Sequence, residues 1–167
     1  MAFAAFRNLK HAWGHTSISL DRKVELFNAI VVPKMLYGLS TVWLNAAERR
    51  RLNGAQARML RSISGIKHSM ISRVSNDEVR RITKQIPVTD TLLKHQLDLY
   101  CKAAQGGEEC PLRDSVFYPK TLTPVNDMYV RKTGAPRLEW AKQLHPHALR
   151  DRQDFRARLS ACRADAP

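Results

Sequence analysis

The sequence predicts an all-α fold: a small helical bundle, then a Pro/Gly-rich linker and short C-terminal helices. Three observations carry this. Apolar residues between positions 2 and 105 recur three and four apart, the period of a helix with one buried face. Two capping-box patterns, Asn45 with Glu48 and Ser75 with Glu78, mark helix starts. No stretch shows the period-two alternation of a half-buried strand.

Taken in order, Phe3, Phe6, Leu9 and Trp13 share one face of a helix over 2–13 that ends at Gly14. The next helix begins after Ser19. Asp21 and Glu25 sit in its first turns, where acids suit the positive end of the macrodipole, and Val24, Phe27 and Ile30–Val31 are its inward residues. Pro33 lies within a continuing apolar pattern, which predicts a kink, with the helix resuming towards Trp43. Asn45 then caps a helix over Ala46–Ser64 that stops at Gly65. After a loop, Ile66–Val74, Ser75 opens a shorter helix that ends before Pro87. Thr89 is placed to cap a further helix with the stripe Leu93, Leu97, Tyr100 and Ala104, closed by Gly106.

From Gly106 the periodicity is lost. Gly106-Gly107, Pro111, Pro119, Pro124, Gly134 and Pro136 mark 106–136 as a linker or loosely docked arm. Two helical pieces are expected beyond it, Arg137–Leu144 and His147–Arg163, the second turning Leu149, Phe155 and Leu159 inward. The expected organisation is a helical domain over 1–105, a linker over 106–136 and a C-terminal segment over 137–167.

Charge is concentrated. The chain carries a net +13, and residues 45–84 hold ten Lys+Arg against three Asp+Glu, a surplus of +7. A pI of about 10.2 points to a polyanionic partner, nucleic acid before membrane. On a wheel of 100° per residue, Ala55, Leu52, Met59 and Ile63 fall on one side of the 46–64 helix. Arg50, Arg51, Arg58 and Arg61 fall on the other, with Arg49 at the edge. Guanidinium groups fork onto phosphate oxygens, and neutralising phosphates releases counterions, so such a face binds nucleic acid without reading sequence. Few acids stand four residues away to neutralise it. The expected contact residues are Arg49, Arg50, Arg51, Arg58, Arg61 and Lys67, with Arg80 and Arg81 on the next helix. Replacing Arg50, Arg58 and Arg61 by alanine is expected to flatten the salt dependence of binding without unfolding the domain.

Other chemistries find little support. Cys101, Cys110 and Cys162 are three, too few and too odd for a disulfide framework, and no CxxC or knuckle spacing occurs. Buried thiols in a reducing compartment are expected. His11 and His15 are four apart, but Gly14 intervenes and HExxH is absent; His145-Pro146-His147 reads as a helix-entry loop. No metal site, cofactor, phosphate loop or nucleophile elbow is expected, and the carboxylates needed for two-metal catalysis are missing. No apolar run is long enough to span a bilayer and no secretory signal opens the chain. An intracellular place, nucleus or cytoplasm, is expected, with no small-molecule ligand and no membrane partner.

Several stretches together resemble one family. KVELFNAIVVPKMLYG (Lys23–Gly38), Trp43, RRRLNGAQARMLRSISGI (Arg49–Ile66) and VSNDEV (Val74–Val79), with Pro87 following, look like the region after the polymerase palm in non-LTR (LINE-type) retrotransposon reverse transcriptases. TGAPRLEW (Thr133–Trp140) is similar to a downstream Gly-Arg-Pro-Arg…Trp element, with Ala135 in place of the usual Arg. Each piece is degenerate; their order and spacing carry the match. The resemblance implies a helical thumb and post-thumb connector, which grips the backbone of a template–primer duplex, RNA or DNA, through basic side chains. It also implies core positions for Tyr37-Gly38 and Trp43. The Asp-Asp metal site of such polymerases has no counterpart here, so the chain is expected to be a fragment without catalysis of its own. The alternatives are a helical protein-interaction module, or a pseudogene product with no selected function. A helix-turn-helix regulator is a third, weakened by the nine-residue loop.

Overall fold

A computed structural model describes residues 2–107, 110–125 and 140–157. Among these the fold is all-α, with no strand; the one β feature is an isolated bridge between Phe117 and Pro124. The chain divides into two compact units, Met1–Leu39 with Leu44–Leu92, and Ser40–Trp43 with Leu93–Pro167.

In the first unit, α1 (Ala2–Asn8) and α2 (Lys10–Gly14) replace the single expected N-terminal helix. The break falls at Leu9, and Trp13 Nε1 donates back to the Phe6 carbonyl at 2.8 Å. The rings of Phe6 and Trp13 stack at 5.3 Å, and Phe6 meets Phe27 edge-on. Ser19 caps α3 (Leu20–Leu26) by accepting from Arg22 N–H. The helix then widens into a π-turn, Phe27–Val31, before α4 (Val32–Leu36). Pro33 offers no N–H to the preceding turn, and the wider turn absorbs the expected kink there. The expected continuation to Trp43 does not occur. The helix stops at Leu36, and Gly38 follows at φ +74°, a left-handed conformation that glycine adopts without strain. Tyr37 is 85% exposed, so the core role implied for it by resemblance is not met.

The longest helix of this unit, α5 (Ala46–Ile63), starts as expected. Asn45 Oδ1 accepts from Glu48 N–H at 2.9 Å and Glu48 returns a carboxylate oxygen to Asn45 N–H at 2.8 Å. Gly65 at φ +69° ends it. Asn45→Ala should remove about 1 kcal/mol of stability, read from the denaturation midpoint; no change would mean that the box is redundant. The 66–74 connection contains a single helical turn, α6 (Ser69–Ser72). Ser75 caps α7 (Asn76–Ile82), with only half of its box formed: Ser75 Oγ accepts from Glu78 N–H, while Glu78 turns to Arg81.

Thr89 does not cap the next helix, α8 (Val88–Gln105), but lies in its first turn. Two side chains of α5 take that role. Gln56 Oε1 accepts from Val88 N–H at 3.0 Å and Asn53 Oδ1 from Thr89 N–H at 3.2 Å; the Gln56 amide also donates to the Ile86 carbonyl at 2.9 Å. The first core gathers Trp13, Val24, Phe27, Val31, Met35, Leu36, Met59, Leu60, Ile63, Val79, Val88 and Leu92.

The chain passes into the second unit within α8, at 92/93, and not at residue 105 as composition indicated. The predicted stripe is there: Leu97, Tyr100 and Ala104 are buried and Leu93 half-buried. The expected linker behaves differently over 110–125. After α9 (Pro111–Asp114), Val116, Phe117 and Leu122 enter the second core. They are held by turns, with Tyr118 N–H donating to the Thr123 carbonyl and Val125 N–H to the Val116 carbonyl, both at 3.0 Å. Isolated apolar residues on turns carry no period, which is why the stretch reads as a linker. The helix α10 (Trp140–Asp151) continues through Pro146, which is exposed. His145-Pro146-His147 is therefore helix interior and not an entry loop. A further helical segment covers 153–157, with Phe155 buried and Leu149 half-buried. Trp43 is half-buried in this unit, 5.8 Å from the His147 ring. Cys101 and Cys110 are free and half-buried, and Cys162 and Leu159 lie outside the described residues.

Candidate nucleic-acid interface

The basic face is built on α5, whose two halves differ. Its first half is open to solvent around most of its circumference. In its second half Gln56, Ala57, Met59, Leu60, Arg61 and Ile63 are all buried, leaving Arg58 and Ser62 exposed. The exposed stripe that survives along the helix is Ala47, Arg50, Arg51, Arg58 and Ser62. Arg50 Nε reaches back to the Ala46 carbonyl at 3.3 Å; Arg49 is half-buried, with Nε on the Leu44 carbonyl at 3.1 Å. Lys67 is exposed on the following loop. Among the described residues Arg50, Arg51, Arg58 and Lys67 form no ion pair.

Arg61 does not belong to that surface. The wheel sets it about 20° from Arg50, yet it is only 6% exposed. The 66–75 connection folds back over the end of α5. The Arg61 Nη2 group donates to the Val74 carbonyl at 2.6 Å and to Asn76 Oδ1 at 3.1 Å, while Nη1 lies 3.5 Å from Ser72 Oγ. Arg61 therefore ties the loop and the start of α7 to α5, and its replacement cannot serve as a fold-neutral probe. Arg80 and Arg81 are partnered too. Arg80 pairs with Asp77 and Arg81 with Glu78 at 2.6 Å. The hydrogen bond from Arg81 holds the Glu78 carboxyl below its ordinary value and raises the guanidinium in turn. The Arg80 side chain is only 14% exposed. These two add less free positive charge than their number implies.

Three side chains that the sequence did not nominate join the face. A groove of about 470 Å³ is lined by Arg51, Arg58 and Arg61 together with Phe3, His68 and Asn76. Phe3, expected on the buried stripe of the first helix, is 46% exposed and forms a wall. Gly54 lies between Arg51 and Arg58, and a Cβ added there would meet nothing within 4 Å, so the floor is open. No Asp or Glu lines it. The i, i+3, i+7 series Arg51, Gly54, Arg58 was the available signal, a glycine keeping two arginines apart on one face.

Among the described residues no three His, Cys, Asp or Glu side chains gather as metal ligands, and no helix is long and apolar enough to cross a membrane. The Thr133–Trp140 element, apart from Trp140, lies outside the described residues. No protein-family model, no curated protein and no solved structure matches the chain.

Proposed function

We propose that the chain is the thumb and post-thumb region of a non-LTR (LINE-type) retrotransposon reverse transcriptase. Its part is to bind the backbone of an RNA or DNA duplex without reading sequence; polymerisation would belong to the parent enzyme's palm. The observation that carries the binding half is the exposed stripe of Arg50, Arg51 and Arg58, continued by Lys67, with no ion pair among the described residues to neutralise it. Unneutralised guanidinium groups on a rigid, capped helix meet phosphates at little conformational cost. The family half is supported by the ordered series Lys23–Gly38, Trp43, Arg49–Ile66 and Val74–Val79.

The test is a salt series of binding to a DNA or RNA–DNA duplex. The logarithm of the binding constant should fall linearly with the logarithm of salt concentration. Arg50→Gln, Arg51→Gln and Arg58→Gln together should make that line shallower by roughly 0.9 for each phosphate no longer neutralised on B-form DNA. An unchanged slope would remove the α5 stripe from the interface. Base discrimination that survives added salt would point instead to a sequence-specific reader.

A second reading, a protein-interaction module, draws on the exposed Met70 and Ile71 at 86% and 69%. Exposed apolar side chains of this kind favour protein contacts. A concentration-dependent oligomer that shifts no nucleic acid would favour it.

A further inference from the structure

A diffuse cationic stripe needs no groove, yet one lies along it, and its floor holds a buried charge without a counter-charge. Arg61 is almost wholly removed from solvent, and its three acceptors, a carbonyl, an amide and a hydroxyl, are all neutral. A guanidinium carries five N–H donors. Those three contacts account for both donors of Nη2 and one of Nη1, and the Nε–H, which has no acceptor among the described residues, is not sealed from solvent. A buried cation is costly unless an anion meets it. No carboxylate lines the groove, while Arg51 and Arg58 stand at its edge, exposed and without ion pairs among the described residues. The His68 ring completes the donor set. Its Nδ1 accepts from Met70 N–H at 3.4 Å, so the neutral ring carries its proton on Nε2.

We propose that this groove is a discrete seat for one phosphoryl group of a bound strand. Arg61 is its fixed buried charge, and Arg51 and Arg58 are the forks that close on the phosphoryl oxygens. The proposal rests on the backbone-binding reading of α5 and sharpens it, because a seat sets the register of the strand on the helix. Phe3 gives the adjoining nucleoside an aromatic wall, and stacking on such a wall tolerates any base.

The test uses the full chain and inorganic phosphate, followed by amide NMR at constant ionic strength made up with chloride. The amides of Gly54, His68 and Ser69 should shift and saturate. Arg51→Gln with Arg58→Gln should weaken phosphate binding about tenfold or more, since each removes a charged hydrogen-bond donor. Lys10→Gln with Lys34→Gln, the same charge change at exposed positions that do not line the groove, should leave it unaltered. A short oligonucleotide should compete with inorganic phosphate for the same amides. Shifts that never saturate, or that are equal in both double variants, would overturn the seat; so would phosphate binding with which the oligonucleotide does not compete. Duplex binding that keeps its salt slope while the seat fails would leave the stripe standing alone. Loss of both would remove the stripe as well.

Discussion

Arg61→Ala is expected to destabilise the first unit by about 2–4 kcal/mol, whereas Arg58→Ala, three residues earlier, should stay within about 0.5 kcal/mol. Both are arginines of α5, and they differ in what their guanidinium groups touch. Arg58 is exposed and forms no ion pair among the described residues. Arg61 is buried, holds the Val74 carbonyl and Asn76, and is crossed by the returning loop, whose Ile66 N–H donates to the Arg61 carbonyl at 2.9 Å. Truncation removes those contacts from a half-buried place, and each hydrogen bond from a charged donor contributes about 1.5–3 kcal/mol. The charge itself works in the other direction, because it is buried without a counter-ion. Arg61→Met, which keeps the stem and drops the charge, should therefore cost less than Arg61→Ala. Urea denaturation of the three variants decides the matter. Equal midpoints for Arg61→Ala and Arg58→Ala would mean that Arg61 does not clamp the loop.

Tyr100→Ala is expected to cost more, about 3–5 kcal/mol, the usual range for removing a fully buried aromatic ring. Tyr100 is 0% exposed at the centre of the second core. Its ring meets Phe117 at 5.0 Å, Phe155 at 5.4 Å and Trp140 at 5.9 Å, and its hydroxyl is 2.9 Å from His145 Nδ1. Tyr100→Phe keeps the rings in place and removes only that hydrogen bond, so about 1 kcal/mol is expected. The phenol is also pushed far above its ordinary value, first by burial and then by the neighbouring Cys101. An acid whose folded value is raised stays protonated while the unfolded chain ionises. Stability should therefore fall as pH rises through about 10, where an unfolded tyrosine titrates, and Tyr100→Phe should show less of that alkaline loss. A loss below about 1 kcal/mol for Tyr100→Ala would mean that the second core is not built around this ring.

What could be read from the sequence was what is decided locally. The Asn45–Glu48 box, the helix starts after Ser19 and Ser75 and the Gly65 stop depend on residues within a turn of each other, and all appear. Thr89, an equally local signal, gave way to Asn53 and Gln56 at the start of α8. The stripe on α8 was visible because a helix repeats its buried face. Arg61 was misjudged because a helical wheel knows the direction of a side chain and not what returns to cover it. Tyr37 was misplaced by analogy, and Gly38, the residue that ends the helix beside it, was taken for part of the pattern. Val116, Phe117 and Leu122 escaped notice because single residues on turns leave no period to detect. The groove was hidden for a related reason: Phe3, Arg58 and His68 lie far apart in the chain, and only α5 and its returning loop bring them together.

Asn53 and Gln56 have a consequence for the order in which the chain folds. An ordinary cap belongs to the helix it serves, so that the helix can nucleate alone. Here the first amides of α8 are met by side chains 32 and 36 residues upstream. The start of α8 is therefore a tertiary event, completed only after α5 has formed and the intervening loop has closed, and closing such a loop costs entropy before any contact repays it. The opening turn of α8 is thus stabilised from outside its own sequence, by a helix, α5, that carries its own cap.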